Sequence, residues 1–281
     1  MKQNEIPQKI AVIGGGIVGM TTVLKLSQLG HDVCLIDPRL NQSINFSKEL
    51  NGSTASLGVL MGYIYQKSSG RSWRLRKRSM ELWPELINGI NTSKKYLSIK
   101  TPLIKLATSE KEKEVMKVLS KKKSIYGLEM INEKLNKQLS DALNINSCGG
   151  IISHNDGRID PLLILENLIL KLNDYCIDKI KSEVKYIERK SDSGKNKWKI
   201  ILSDGKQIEK SILVICAGLG SQKLLNHLGY NIILQPIMGQ AVELKVNKSN
   251  ILKELPAVIN IKGFNLINVD EEDKIIIGAT L

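Results

Sequence analysis

Six consecutive residues near the N-terminus, Gly14-Gly15-Gly16-Ile17-Val18-Gly19, have the types and spacing to hold a phosphate. Three of the glycines have separate tasks. Gly14 permits a tight turn, Gly16 lets backbone approach a pyrophosphate with no Cβ in the way, and Gly19 lets a helix pack close to the preceding strand. Free N–H groups at the start of that helix, together with its dipole, favour negative charge. Asp37 follows after seventeen further residues, 20–36. A carboxylate there can accept hydrogen bonds from a ribose diol and would repel a 2′-phosphate, which disfavours NADP. The pattern reads as a dinucleotide site.

Other groups carry less. Asp156 and Asp160 form a paired-carboxylate constellation on paper, but Asp160 precedes Pro161 and reads as a helix cap, and Asp156-Gly157 reads as a turn. His31, His154 and His227 have no triad partner. His31 reads as structural and His227 as a helix-surface residue. Cys34, Cys148, Cys176 and Cys216 contain no Cys-x-x-Cys pair, so zinc lacks its spacing signal and no metal is expected. Cys34 and Cys216 fall in apolar strands and read as buried thiols.

The elements that must position the glycines are legible. Lys9 to Ile13 is a buried parallel strand, Ile17 to Leu29 carries a helical apolar stripe stopped by Gly30, and Asp32 to Asp37 is a second strand. A helix is expected over 73–82 with a break at Pro84, a strand over 100–107, and helices over 110–122 and 133–141. Ile151-Ile152 is a short strand, and Pro161 opens a helix running to about Asp174. A hairpin turns at 191–194, Ile212 to Cys216 is an apolar strand, and short strands near 240–245, 257–261, 266–269 and 274–277 follow one another and are expected to be antiparallel.

The 281 residues carry 42% hydrophobic and 25% charged side chains, which excludes pervasive disorder. No apolar run approaches the roughly 20 residues of a membrane span. The net charge is +13. Its denser stretches, Arg71, Arg74, Arg76, Lys77, Arg78 and Lys111, Lys113, Lys117, Lys121, Lys122, Lys123, have no interleaved stacking aromatics and read as solvated helix faces. Nucleic acid is therefore not expected as a partner. A polar N-terminus without a signal core and no disulfide framework point to a cytoplasmic protein.

Six segments in order resemble the FAD-dependent amino-acid oxidases of the glycine oxidase and D-amino acid oxidase type. They are the glycine fingerprint, Gly52-Ser53-Thr54-Ala55-Ser56-Leu57-Gly58, Asp156-Gly157-Arg158-Ile159-Asp160-Pro161, Val214 to Ser221, and Pro236-Ile237-Met238-Gly239-Gln240 with Ile277-Gly278-Ala279-Thr280. The resemblance implies an α/β fold: a Rossmann-like FAD-binding domain with a parallel sheet, plus a discontinuous antiparallel α+β substrate domain. The expected division is 1–95 with 150–225 for FAD and 96–149 with 226–281 for substrate. It implies FAD as cofactor, with Gly14, Gly16, Ile17 and Gly19 on the pyrophosphate and Asp37 on the adenosine ribose. Arg39 could also reach the adenosine end. Ser53, Thr54, Ala55 and Ser56 would touch pyrophosphate, ribityl chain or flavin ring. Val184 would meet adenine through its backbone, and Ala217 and Gly218 would lie under the cofactor.

The implied reaction is oxidation of the CH–NH bond of an amino acid or amine, with hydride passing to flavin N5 and the imine product hydrolysed. The alternatives are an inactive flavoprotein relic, or a same-fold enzyme acting on a modified tRNA base. The partner is then a small amine or amino acid, and a homo-oligomer is compatible with the sequence. In the family an arginine beyond the Gly-Ala-Thr strand clamps the substrate carboxylate, and it is expected beyond Leu281. Leu266 takes the place of a substrate-contacting tyrosine, and Leu281 would line the pocket. Against the family pattern the chain is C-terminally incomplete, which predicts an exposed apolar edge at the Lys274 to Ile277 strand.

Overall fold

The computed structural model describes residues 6–40, 51–92, 96–192, 195–246, 255–269 and 273–279. The chain opens with β1 (Lys9–Ile13), α1 (Ile17–Gln28) and β2 (Asp32–Ile36). It continues through β3 (Val59–Leu60), α2 (Gly70–Ile90), β4 (Leu103–Ala107), α3 (Glu110–Lys122), β5 (Leu128–Met130), α4 (Glu133–Leu143), β6 (Gly149–Ser153) and β7 (Gly157–Arg158). Then come α5 (Pro161–Leu172), β8 (Asp178–Ile180), β9 (Val184–Asp192), β10 (Lys195–Leu202), β11 (Gln207–Lys210), β12 (Ile212–Ile215) and α6 (Gly220–His227). The last strands are β13 (Ala241–Lys245), β14 (Val258–Ile261), β15 (Phe264–Val269) and β16 (Lys274–Gly278).

Two compact units result, each built from two stretches of chain: Met1–Ser56 with Pro161–Pro236, and Leu57–Asp160 with Ile237–Leu281. The first unit holds a four-stranded parallel sheet in the order β12-β1-β2-β8. Ile13 lies between Ile215 and Ile36 in register. Four of the five residues in β1 and in β2 are buried, as continuous apolar runs covered on both faces require. Helices α1 and α5 pack against each other, and α1 lies on β1 and β2. An antiparallel sheet, β11-β10-β9, adds Ile187, Ile200 and Leu202 to a core shared with Ala11, Cys34 and Ile36.

The second unit is organised by a seven-stranded sheet, β13-β16-β15-β14-β4-β6-β5. Its strands are antiparallel neighbours except β14 and β4, which run parallel. A core of Leu103, Ala107, Met116, Leu119, Ile151 and Val258 lies under α3. That helix is capped by Ser109, whose hydroxyl accepts the Glu112 N–H at 3.3 Å while the Glu112 carboxylate takes the Thr108 N–H at 2.8 Å. Among the described residues no helix is long and apolar enough to cross a membrane.

Four expectations change. Residues 57–95 and 150–160 join the second unit, because α2 buries Trp73 against Tyr126 and β6 pairs with both β4 and β5. Residues 226–236 join the first. Pro84 lies inside α2 without ending it, since Trp73, Met80, Ile87 and Ile90 are buried on both sides of the lost hydrogen bond. The apolar edge also moves. β16 is interior to the sheet, and the edge strand is β13, exposed at all five residues including Val242 and Leu244. Finally, Lys123 is no solvated lysine: it is 1% exposed, while Lys121 and Lys122 beside it face water.

The thiols divide by burial. Cys34 is buried and its pKa is pushed up to about 11 by loss of solvent, whereas Cys176 is exposed. Cys216, expected in the core, is half-buried just past β12, and burial raises its thiol as well. In the native chain at pH 8, a disulfide reagent is expected to label Cys176 at once and Cys34 only after denaturant. Equal labelling rates, read by peptide mass spectrometry, would contradict the packing of β2.

Candidate functional site

The carboxyl ends of β1, β2 and β12 open onto a cleft of 970 Å³ within the first unit. That is the upper part of the range of about 300–1,000 Å³ in which cofactor pockets fall. Its lining includes Gly14, Gly16, Asp37, Arg39, Ser53, Val184, Ala217 and Gly218 from the sequence expectation. Ile17, Gly19, Thr54, Ala55 and Ser56 do not line it.

The glycines are required by contact. Gly14 has φ +109°, and a Cβ there would stand 2.3 Å from the Cys216 carbonyl oxygen. A Cβ on Gly19 would stand 1.8 Å from the Gly14 carbonyl oxygen, so α1 rests on the turn it leaves. At Gly16 the space of the missing Cβ is taken by the Ser53 hydroxyl, which would be 2.9 Å away. That hydroxyl accepts the Ile17 N–H at 3.0 Å. Ser53 thus caps α1 from a distant segment, and the other first-turn N–H groups are left for an anion.

Asp37 is 5% exposed and sits beside this turn. Its Oδ2 accepts the Gly15 N–H at 2.7 Å, and its Oδ1 accepts the Arg39 N–H at 2.8 Å. The Arg39 Nε lies 3.4 Å from Oδ1, so Arg39 pairs with the carboxylate as well as lining the cleft. A carboxylate offers roughly four lone-pair sites, so acceptor capacity remains for a diol. Val184 opens β9, with its side chain in the core cluster. Across the cleft, Gly218 (φ +57°) leads into α6, so the first residues of two helices, α1 and α6, border one space. Both dipoles favour an anion there. A glycine cradle, two helix N-termini and an unsaturated acidic acceptor fit a dinucleotide such as FAD.

Several residues were not legible in the sequence as part of the lining, Asn51, Glu183 and Lys223 among them. Asn51 accepts the Ser53 and Thr54 N–H groups at 2.9 and 3.2 Å, an Asx turn that aims Ser53 at α1. Its turn chemistry was visible in Asn51-Gly52-Ser53-Thr54. Glu183 and Lys223 also border the cleft and carried no such signal.

Outside the cleft, Leu266 is half-buried against Ile104, Leu106 and Ile259. Leu281 lies outside the described residues. Asp156 is not a mere turn residue: it is completely buried, and its carboxylate accepts the N–H groups of Gly62, Tyr63 and Ile64 at 2.7–2.9 Å and the Ser153 hydroxyl at 2.8 Å. Among the described residues no three potential metal ligands come together.

Comparison with known proteins adds to this. Glycine oxidase from Geobacillus kaustophilus has a similar fold, with a TM-score of 0.78 at 20% identity over 98% of this chain and 72% of that one. Glycine oxidase from Bacillus cereus ATCC 14579 gives 0.77 at 20% identity over 97% and 71%. L-proline dehydrogenase from P. horikoshii gives 0.73 at 20% identity over 98% and 71%. A search of curated proteins finds no match. The family model described as DAO, FAD dependent oxidoreductase, matches residues 9–281. With the glycine cradle and its acidic partner, that match over nearly the whole length places the chain in the DAO family of FAD-dependent oxidoreductases.

Proposed function

We propose that the cleft holds the adenosine and pyrophosphate of FAD and that the enzyme oxidises the CH–NH bond of an amino acid or amine. The observation that carries this is the pairing of the Gly14–Gly19 cradle with Asp37 at the mouth of one cleft. In this reading Gly14 and Gly16 receive the pyrophosphate, while Gly19 lets the start of α1 rest close against that turn and Ser53 holds Ile17 in place. Asp37 takes the ribose hydroxyls on its remaining lone pairs, and Arg39 fixes that carboxylate. Val184, Ala217 and Gly218 offer backbone and small side chains to the cofactor, and Thr54, Ala55 and Ser56 shape the loop behind Ser53.

The substrate class is supported by the named activities of the fold neighbours, glycine oxidase and L-proline dehydrogenase. When bound, FAD supplies the two-electron acceptor that this bond needs; the imine left behind then takes up water and releases the amine nitrogen. The protein's share is to bind, orient and exclude water.

An absorption spectrum of the purified chain with added FAD tests the cofactor. Visible flavin bands that stay with the protein through gel filtration are expected. Protein that elutes colourless after incubation with FAD would sink the reading. A panel of amines and amino acids, scored for carbonyl product, tests the substrate class.

A further inference from the structure

The cations of α2 and α3 in the second unit divide by how they are satisfied. Lys123 turns inward, where its Nζ donates to the carbonyls of Tyr63, Tyr65 and Lys67 and lies 3.8 Å from the Trp73 ring centroid. Arg76 stacks on the Tyr65 ring at 4.1 Å and donates to the Met61 carbonyl. Lys77 and Arg78 both face the Glu81 carboxylate, and Lys113 and Lys117 face Glu110 and Glu114. Arg71, Arg74, Lys121 and Lys122 remain. All four are exposed, and among the described residues none of them pairs with an acid.

Apolar side chains stand among these cations. Leu75 is 61% exposed, and Arg71 one turn before it and Arg78 one turn after it share its helix face. Val118 is 65% exposed, with Lys121 and Lys122 one turn on, and Ile125 beyond the helix end is 82% exposed. The two segments are fastened together. Tyr126, next to Ile125, meets the Trp73 ring edge-on at 5.5 Å and takes the Lys77 ammonium over its face at 5.4 Å. Neither 70–80 nor 115–126 contains an acid. The result is a set of aliphatic tips in a field of one sign. Neither feature stabilises the folded chain in water, where exposed apolar groups cost free energy and like charges repel. A nucleic acid would use the cations alone, and the rings that could stack on bases are already engaged: Trp73 is buried and Tyr126 stacks on Tyr63 at 5.2 Å. An anionic lipid surface uses both features, charge at the headgroups and aliphatic tips at the acyl boundary.

We propose that this face of the second unit, formed by the start of α2, the end of α3 and the turn after it, docks on an anionic phospholipid membrane, lying on its surface without spanning it. Each cation close to such a surface multiplies binding by about fivefold, and salt screens the attraction. The flavin cleft belongs to the first unit, so a chain that fails to bind flavin would still carry this surface.

Co-sedimentation of the full chain, after incubation with FAD, with lipid vesicles is the experiment. Vesicles of equal parts phosphatidylglycerol and phosphatidylcholine are expected to bind at least about a hundredfold tighter than phosphatidylcholine alone, and about 1 M salt should release the chain. Arg71→Gln with Arg74→Gln should weaken that binding about 25-fold. Lys190→Gln with Lys206→Gln removes the same charge from lysines of the first unit that face Glu209 and Asp204, and should change it by less than about twofold. Leu75→Ser with Ile125→Ser should weaken it about tenfold. Equal binding to the two kinds of vesicle overturns the proposal. So do equal losses from the two double-glutamine chains, because net charge alone would then account for the attraction. Vesicle binding unchanged by Leu75→Ser with Ile125→Ser, or polyuridylate bound more tightly than the anionic vesicles, overturns the lipid assignment.

Discussion

Gly19→Ala is expected to leave the chain unable to retain FAD. The added Cβ would meet the Gly14 carbonyl oxygen at 1.8 Å and its carbonyl carbon at 2.9 Å, and both are backbone atoms. Gly14 cannot retreat, because its N–H is bonded to the Ile36 carbonyl at 2.9 Å and its own Cα faces the Cys216 carbonyl. The start of α1 must therefore lift away from β1, and with it the N–H groups that Asp37 and Ser53 hold at the cleft. Overpacking against immovable backbone costs about 3 kcal/mol or more. If that whole cost falls on the bound state, FAD affinity drops by about a hundredfold. Circular dichroism reports whether the fold survives, and FAD titration reports the affinity. Ser53→Ala separates the two effects. It removes the hydroxyl that caps Ile17 without adding volume, and should weaken FAD by about tenfold at a stability loss near 1 kcal/mol. Gly89→Ala is the control. It lies in α2 with open space where its Cβ would be, and should raise stability by about 0.5–1 kcal/mol. A Gly19→Ala chain that binds FAD like the wild type would remove the cradle from the argument.

The parts of this site that were legible in the sequence are local. The β1–α1–β2 unit announces itself because a buried strand, a glycine turn and an amphipathic helix follow one another without interruption, and because Asp37 closes the second strand. Turn and hairpin chemistry likewise marked the strands from β9 to β12. What stayed hidden depends on contacts between remote segments. Ser53 reaches Ile17 across 36 residues, and Asp156 reaches Gly62 across 94. Nothing in a dipeptide such as Asp156-Gly157 distinguishes a solvent-facing turn from a buried carboxylate that organises another loop. Lys123 was masked in a different way. It ends a run of lysines on a charged helix, and only the chain reversal after Lys122 carries it inward beneath Trp73. Pro84 shows the converse, a strong local signal overruled by packing on either side.

The buried pair that organises residues 61–67 gives the second large effect. Asp156→Ala is expected to destabilise the chain by about 4 kcal/mol, since three backbone N–H groups and one hydroxyl lose a charged acceptor. Ser153→Ala removes one of those four bonds and should cost about 1 kcal/mol. Asp156→Asn should fall between them, because one oxygen can still serve Gly62 and Tyr63 while the amide nitrogen faces the Ile64 N–H donor to donor. Denaturant unfolding ranks the three, and an Asp156→Ala chain as stable as Ser153→Ala would contradict the buried geometry. Lys123 supplies an independent reading of the same loop. Burial lowers its pKa from 10.5 to about 8, while the Asp156 carboxylate pulls it upward and Lys122 pushes it down. Folded chain thus gives up this proton near pH 8 and unfolded chain near pH 10.5. Between those values the unfolded state holds more protons, so the contribution of Lys123 to stability rises with pH across that window. Lys123→Met should flatten the slope there. Asp156→Asn should start the rise below pH 8, because the charge that favoured the ammonium is gone. Unchanged slopes in both variants would mean that the ammonium is not held beneath Trp73 as described, and that the loop is secured by Asp156 alone.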